Sequence, residues 1–289
     1  MYAEIINFKA TDGVVNDGYI IKNNSKKIII SIHGMSSNCF KDRDKAISKK
    51  AFENGFAYMG FNNRGSELVK YIRKDTGEKS FGGTTYEDPL DAYHDIKGAI
   101  LKAIEFGYEE IYLQGHSLGT TKIIYTYNKL KNENSELLGK IRGIILLSLI
   151  DIPKTLKIFL NENFEKILKY AEEKNSKKEY LDLMPNASFI HPISVNTFLR
   201  YAKYNNEIDF AQYSNENYNF EELNNIEVPL FMRWGNSNEM IEQSAEELVN
   251  LINRKIINQN KDINYIDGAD HGYTGREEIL ANQIINFIK

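Results

Sequence analysis

Ser117 has the surroundings of a catalytic nucleophile. It stands in the segment Gly115-His116-Ser117-Leu118-Gly119, directly after the apolar residues 111–113 and at the start of a helical pattern. A serine on such a sharp strand-to-helix turn requires small residues two positions before and two positions after it, and glycine occupies both. Its hydroxyl then lies at the amino end of a helix, where backbone N–H groups favour negative charge. The pattern predicts that Ser117 attacks a carbonyl carbon; the alternative is a glycine-rich turn without chemistry.

A nucleophilic serine needs a base, and His271 has a suitable position for one. It lies in the small-residue-rich segment Asp267-Gly268-Ala269-Asp270-His271-Gly272-Tyr273, after the last predicted strand and before the last predicted helix. A neutral imidazole there can take the serine proton and return it to the leaving group. His116 is a weaker candidate, because neighbouring side chains on a tight turn point apart. We therefore expect His271 to be the base.

The acid that would orient the base has more than one candidate. In the chain order serine, acid, histidine, it should follow a strand between the other two residues. Glu239 is the carboxylate in the turn after the predicted strand 228–234, although its spacing from Asn236 also fits a helix capping box. Asp151, just after the preceding strand, is the alternative acid, and Asp209 is a third candidate. The residue pattern favours Glu239 and leaves Asp151 open.

Two backbone N–H groups should stabilise the oxyanion of the tetrahedral intermediate. One belongs to Leu118, the residue after the serine. The other is expected from Met35, because His33-Gly34-Met35 follows directly on the predicted strand 28–32. His33 itself is interpreted as a buried residue that braces this loop.

The remaining pattern predicts an α/β fold. Short apolar, β-branched runs typical of buried strands occupy residues 27–32, 57–61, 111–114, 143–148, 228–234 and 263–266. Stretches with helical spacing lie between most of them, at residues 41–54, 89–106, 118–131, 240–253 and 277–288. This alternation indicates a mostly parallel sheet with helices on both faces. Residues 4–9 and 14–21, joined across Asp12-Gly13, predict an antiparallel hairpin at its edge.

The alternation fails between Ser148 and Val228. This stretch contains helical patterns at 155–173 and 195–204 but no convincing strand, so we interpret it as a helical insertion that could cover a pocket. Residues 63–85 form a second long connection, which the sequence predicts to be irregular.

The composition limits the function classes. The chain has 289 residues, of which 42% are hydrophobic and 26% charged, and a net charge of −4, which is typical of a soluble globular protein. No basic stripe indicates nucleic-acid binding. The longest apolar run, residues 144–150, is far shorter than the roughly 20 residues that span a bilayer. Cys39 is the only cysteine, which favours the reducing cytoplasm. No spacing of ligands indicates a metal, and we expect no cofactor.

These motifs together resemble the α/β-hydrolase superfamily. The resemblance rests on His33-Gly34 after the third strand, Gly115-His116-Ser117-Leu118-Gly119, and His271 before the final helix, and it covers nearly the whole chain. It implies an eight-stranded sheet whose second strand is antiparallel, and esterase, lipase, thioesterase or amidase chemistry. It also implies a helical cap after the sixth strand, at residues 152–226, on a core made of residues 1–151 and 227–289.

Two departures from the family pattern affect individual residues. Members commonly have aspartate three residues after the glycine that ends the seventh strand, where this chain has Asn238, so the acid would shift to Glu239 or lie elsewhere. The usual Asp-x-Arg-Gly-x-Gly turn is reduced to Asn62-Asn63-Arg64-Gly65-Ser66. Arg64 is therefore expected to brace loop carbonyls rather than to bind substrate.

The carboxyl half also resembles, faintly, a branch that includes fungal siderophore-ester hydrolases. The likeness rests on Met184-Pro185, Pro192-Ile193-Ser194 and Arg233-Trp234-Gly235-Asn236. It implies hydrolysis of an ester in a secondary metabolite or siderophore-like compound.

The sequence therefore yields one main hypothesis and two alternatives. The main hypothesis is a serine hydrolase that cleaves a small-molecule carboxylic ester through an acyl-enzyme on Ser117, with no metal, cofactor, nucleic acid or membrane span. One alternative is a thioesterase or amidase with the same triad. The other is a ligand-binding protein that kept the fold without turnover, since a fold does not dictate a function.

Overall fold

The computed structural model describes residues 1–186, 188–203 and 206–289. Its ten strands form an eight-stranded sheet and a separate two-stranded hairpin. The strands are β1 (Glu4–Lys9), β2 (Val15–Ile21), β3 (Lys27–Ile32), β4 (Ala57–Asn62), β5 (Lys70–Arg73), β6 (Lys79–Gly82), β7 (Glu110–His116), β8 (Ile141–Leu147), β9 (Leu230–Gly235) and β10 (Lys261–Ile266). The order in the main sheet is β1-β2-β4-β3-β7-β8-β9-β10.

Among the described strands of the main sheet, β2 alone runs antiparallel to the others. It pairs antiparallel with both β1 and β4, whereas all pairs from β4 to β10 are parallel. The hairpin at the sheet edge, the antiparallel second strand and the mostly parallel eight-stranded sheet are therefore confirmed.

Helices cover both faces of the sheet. The helices are α1 (Asp42–Glu53), α2 (Ala92–Glu105), α3 (Leu118–Asn132), α4 (Ile152–Leu160), α5 (Phe164–Ser176), α6 (Val195–Ala202), α7 (Glu221–Asn224), α8 (Ala245–Lys255) and α9 (Glu277–Ile288). Residues of α2, α3 and α8 belong to one apolar cluster, and residues of α1 and α9 belong to another on the opposite face. Among the helices of the described ranges, none is both long enough and apolar enough to cross a membrane.

Strand β3 is buried on both of its faces, which is why its sequence is a continuous apolar run. Ile28, Ile30 and Ile32 pack with the α2 and α3 side, whereas Ile29 packs with α1 and α9. All four are fully buried. Because both faces of a parallel sheet are covered, its strands show no alternation of apolar and polar residues.

The insertion contains helices α4 to α7. Residues 152–208 contribute to a separate apolar cluster, whereas Phe210, Phe220 and Leu223 pack in the cluster on the α2 and α3 side of the sheet. Side chains such as Leu156, Phe164 and Phe198 pack together in the separate cluster, and Leu118 at the start of α3 joins them. The helical pattern at 155–173 is divided between α4 and α5, because Asn161 takes a positive φ of 48° and ends α4. The pattern at 195–204 ends as a helix at Ala202, and Tyr204 lies outside the described residues.

A buried ion pair connects the insertion to the rest of the chain. Lys122 Nζ donates to Glu87 Oε2 at 2.6 Å, and both side chains are fully buried. Tyr201 in α6 donates to Glu87 Oε1 at 3.0 Å, and Thr197 Oγ1 donates to the Glu87 carbonyl at 2.8 Å. Since Lys122 belongs to α3, helix α6 is fixed to the helix that begins directly after Ser117.

The structure corrects two expectations about local structure. The connection at 63–85 is not irregular throughout, because β5 and β6 form a hairpin within it. The helix expected at 240–253 begins instead at Ala245, where Ser244 and Glu247 form the capping box. Glu239 therefore lies before this helix and does not cap it, which removes the capping interpretation of that residue.

Candidate active site

Ser117 lies on a strained turn between β7 and α3. Its φ of 53° and ψ of −125° are unusual for a residue with a side chain. A Cβ atom at Gly115 would lie 2.5 Å from the Gly119 carbonyl oxygen, and one at Gly119 would lie 2.3 Å from the Ile32 carbonyl oxygen. Both glycines are therefore required for the close approach of the turn to its own helix and to β3.

Ser117 opens into a cavity of about 440 Å³. His271, His116 and Met35 also line it, so the candidate nucleophile and the candidate base share one space. No hydrogen bond joins the Ser117 hydroxyl to the His271 ring within the described ranges. In unliganded sites such bonds are often long and tighten when a substrate binds.

His271 is paired with Glu239. The imidazole Nδ1–H donates to Glu239 Oε1, and the exposed fraction of the Glu239 side chain is only 2%. The second carboxylate oxygen accepts from Ser148 Oγ at 2.8 Å and from the Gly235 N–H at 2.9 Å. With Nδ1 protonated, Nε2 has the free lone pair that a base requires. This assignment of the ring proton follows from the carboxylate, which can only accept when it is ionised.

Glu239 is held in its ionised form. Burial would raise its pKa, but the hydrogen bond and charge of His271 oppose this, together with the donors Gly235 and Ser148. The net result is a pKa of Glu239 below its usual range. The carboxylate is therefore charged at neutral pH, as an orienting acid must be.

The alternative acids have other contacts. Asp151 accepts from the Lys154 N–H at 3.0 Å and caps the start of α4. Burial raises the pKa of Asp151 to about 7. Asp209 accepts from Gln212 Nε2 at 3.0 Å. Of the three candidate carboxylates, Glu239 is the one that the structure brings to His271.

The loop after β3 lies against the serine turn. A Cβ atom at Gly34 would be only 2.9 Å from Ser117 Cβ and 3.0 Å from the His116 carbonyl oxygen. In the described part of the chain, the N–H groups of Met35 and Leu118 donate to no acceptor. Two free donors beside Ser117 are what an oxyanion hole requires.

Replacing Gly34 by alanine is expected to lower kcat for a p-nitrophenyl ester by about 10²- to 10³-fold, the effect of losing one oxyanion donor. The added methyl group would push the Met35 N–H away from the reacting carbonyl. Gly139→Ala is the matched control, because a Cβ atom there has no neighbour within 4 Å. An unchanged kcat for Gly34→Ala would contradict the role of this loop.

His116 and Ser148 have contacts that the sequence did not indicate. His116 Nε2 donates to the His271 carbonyl oxygen at 2.6 Å, and the two rings lie 4.9 Å apart. Burial, followed by the charge of Arg43, lowers the pKa of His116 well below its usual value, so the ring is neutral. His116 thus holds the backbone of His271, and Ser148 holds Glu239. Both roles depend on contacts between distant segments and leave no local sequence signal.

His33 braces its loop, whereas Arg64 does not behave as expected. His33 Nδ1–H donates to the Gly34 carbonyl at 2.8 Å, and its Nε2 accepts from the Asn63 N–H at 3.2 Å. Arg64 bonds to carboxylates instead of loop carbonyls, with contacts at 2.8 Å to Asp12 and 2.9 Å to Asp95. The expectation was wrong because acidic side chains from α2 and the β1–β2 turn surround this arginine.

Metal ligands do not cluster in the described residues. No group of three or more His, Cys, Asp or Glu side chains is arranged there to hold an ion.

Comparison with solved structures identifies the architecture. Est1E from Butyrivibrio proteoclasticus, solved with ferulic acid bound, superposes with a TM-score of 0.65 at 17% identity over 97% of both chains. GrgF, an α/β hydrolase from Penicillium sp. sh18, gives a TM-score of 0.69 at 14% identity over 100% of this chain and 98% of its own. The chain has the α/β-hydrolase fold.

A third similar structure is a soluble variant of monoglyceride lipase from Saccharomyces cerevisiae, solved with a substrate analogue. It superposes with a TM-score of 0.63 at 14% identity over 98% of this chain and 94% of its own. No protein-family model and no curated protein matches the sequence. The fold that the resemblance implied is confirmed.

Proposed function

We propose that this chain is a serine hydrolase that cleaves a carboxylic ester through an acyl-enzyme on Ser117. In this proposal His271 is the general base and acid, and Glu239 orients His271. The N–H groups of Met35 and Leu118 bind the oxyanion. The observation that carries the proposal is the bond from His271 Nδ1–H to the buried Glu239 carboxylate, beside the cavity that also contains Ser117.

Acylation would begin when Ser117 Oγ forms a bond to the ester carbonyl carbon. His271 Nε2 takes the hydroxyl proton, and the carbonyl π electrons move to the oxygen, which the two N–H groups stabilise. The intermediate collapses by breaking the bond to the alcohol oxygen. That oxygen takes the proton from His271 and leaves as the alcohol.

Deacylation would repeat these steps with water. His271 Nε2 takes a proton from water as its oxygen bonds to the acyl carbon, and Ser117 Oγ leaves with that proton. The products are a carboxylic acid and the regenerated serine. The proposed chemistry uses no metal or cofactor.

We propose further that residues 152–226 form a cap over the cavity, on a core of residues 1–151 and 227–289. Support comes from the separate apolar cluster to which residues 152–208 contribute and from the contribution of the insertion to the cavity wall. Ile152, Leu156, Phe159, Phe189 and Ile190 all line the cavity. Side chains of the insertion would therefore select the apolar part of the substrate.

The size of the cavity favours a small-molecule ester. Its volume of about 440 Å³ falls in the range of roughly 300–1,000 Å³ typical of small-molecule sites. The ferulic acid bound to Est1E is also a small ligand. A secondary-metabolite or siderophore-like ester belongs to this size class and remains the proposed substrate type.

Three substrates that share one acyl group test this proposal: an ester, a thioester and an amide. Their rates of hydrolysis are compared. We expect ester hydrolysis together with an acyl adduct on the peptide that contains Ser117, detected by mass spectrometry after acid quenching. Hydrolysis of only the thioester or only the amide would contradict the ester assignment. Ligand binding without turnover or adduct would favour the non-catalytic alternative.

A further inference from the structure

The cavity wall combines two kinds of side chain. The insertion supplies apolar ones. The start of α1 and the start of α9 supply charged ones, namely Lys41, Asp42, Arg43 and Glu277. Three of these side chains are exposed or half-buried, so solvent screens their charges. Arg43 differs because its exposed fraction is only 4%.

The buried guanidinium of Arg43 has donors to spare. Its Nη2 group donates to Asp44 Oδ2 at 3.3 Å, which is long for a charge-assisted bond. Nε is enclosed and has no acceptor among the described residues. Nη1 likewise donates to nothing within the described ranges. A buried charged group with unused donors is costly unless a ligand completes its hydrogen bonds.

Asp44 depends on Arg43 for only one of its two carboxylate oxygens, Oδ2. Its Oδ1 accepts from Ser31 Oγ at 2.8 Å, from Tyr58 OH at 2.8 Å and from Gln114 Nε2 at 3.2 Å. The contact with Arg43 is therefore one of four and the longest of them. The contact with Asp44 occupies only Nη2 of the guanidinium, and Arg43 lines the cavity.

Arg43 lines the same cavity as Ser117 and His271. After burial, its positive charge is the largest contribution to the lowered pKa of His116. His116 precedes Ser117 and holds the backbone of His271. Because Arg43, Ser117 and His271 line one cavity, a group bound by Arg43 would lie in the same space as an ester attacked by Ser117.

We propose that Arg43 binds a carboxylate group of the substrate, which makes the preferred substrate an ester that also carries an acid. This inference rests on the proposed hydrolase function of the same cavity. A guanidinium in a water-poor wall pairs better with a carboxylate than with a neutral acceptor, because each charge then compensates the desolvation of the other. The insertion would contact the apolar remainder of the same molecule.

Two pairs of probe esters test the proposal. In each pair, one ester carries a carboxylic acid and the other carries the corresponding neutral amide. In 4-carboxyphenyl butyrate and 4-carbamoylphenyl butyrate the group lies on the alcohol side. In monomethyl adipate and methyl 5-carbamoylpentanoate it lies on the acyl side. We expect kcat/KM to favour the acid about 10- to 100-fold in at least one pair, the usual effect of a charged hydrogen bond. Arg43→Met should bring that ratio to about one.

Lys41→Met is the matched control, because it removes an exposed positive charge from the same wall. Lys41→Met should retain most of the preference for the acid in kcat/KM. If the wall attracted anions only through its general positive charge, both variants would lose this preference equally. If Arg43→Met alone does not fold, the double variant Arg43→Met with Asp44→Asn replaces it in the test. The double variant keeps the net charge and removes both partners of the ion pair.

Failure of this inference differs from failure of the proposed function. Hydrolysis of the probe esters without any preference for the acid, or with a preference that survives in the Arg43 variants, would overturn the role of Arg43 alone. Absence of hydrolysis of all four probes, with no acyl adduct on Ser117, would overturn the hydrolase proposal and this inference with it.

Discussion

Replacing Ser117 by alanine is expected to lower kcat for p-nitrophenyl butyrate by about 10⁶-fold, as in other enzymes that lose their nucleophilic serine. The variant retains the cavity and the His271–Glu239 pair but has no oxygen to attack the ester. The measurement is the rate of p-nitrophenolate release at saturating ester, followed by the absorbance of this anion at about 400 nm.

Ser37→Ala is a matched control for this loss. Ser37 lines the same cavity, so its variant also removes a hydroxyl from the substrate space. Its kcat should fall by less than about tenfold, the range of a peripheral contact. Equal turnover by the wild type and Ser117→Ala would contradict the assigned nucleophile.

Replacing Glu239 by glutamine is expected to lower kcat by about 10⁴-fold, whereas Asp151→Asn should lower it by less than about tenfold. Glutamine keeps the shape of the side chain, but its amide can present N–H to His271 Nδ1. The imidazole would then be protonated on Nε2, which is the wrong tautomer for a base. Steady-state kinetics of both variants on one ester give the comparison.

Asp151→Asn is informative because asparagine caps a helix as well as aspartate does. The start of α4 should therefore be preserved and the two variants should differ in the acid alone. A larger loss in Asp151→Asn than in Glu239→Gln would transfer the orienting role to Asp151. Thermal unfolding of both variants checks that neither loss reflects unfolding.

Much of the fold could be predicted because its signals are local. The apolar run at 27–32 coincides with β3, and the pattern at 277–288 coincides with α9. The pattern at 89–106 begins directly after Asp88, whose side chain caps the short turn before α2 by accepting from the Leu90 N–H. Buried parallel strands and capped helices leave such patterns in a single segment of sequence.

Other elements depend on contacts that a local pattern does not contain. The start of α8 was predicted too early because the apolar residues Met240 and Ile241 continue the helical spacing, while Ser244 provides the actual cap. The hairpin of β5 and β6 is mostly exposed, so it has no apolar alternation by which to recognise it. A backbone reversal at Asn161 divides a helical pattern that the sequence presents as continuous.

The candidate site likewise combines residues that have a local sequence signal with residues whose role depends on distant contacts. The glycines around Ser117 and the loop around His271 are local motifs, and the position of Glu239 after β9 follows from chain order. The contacts of His116 and Ser148 join segments far apart in the chain. They become visible only when the sheet brings the carboxyl ends of its strands together.

Covalent labelling by a fluorophosphonate tests the central claim most directly. A serine activated by His271 and Glu239 should attack the phosphorus atom, and intact mass spectrometry should show one adduct per chain. Peptide mapping should place that adduct on Ser117, and Ser117→Ala should remain unlabelled under the same conditions. An adduct on another residue, or an unlabelled wild type that is shown to be folded, would contradict the account.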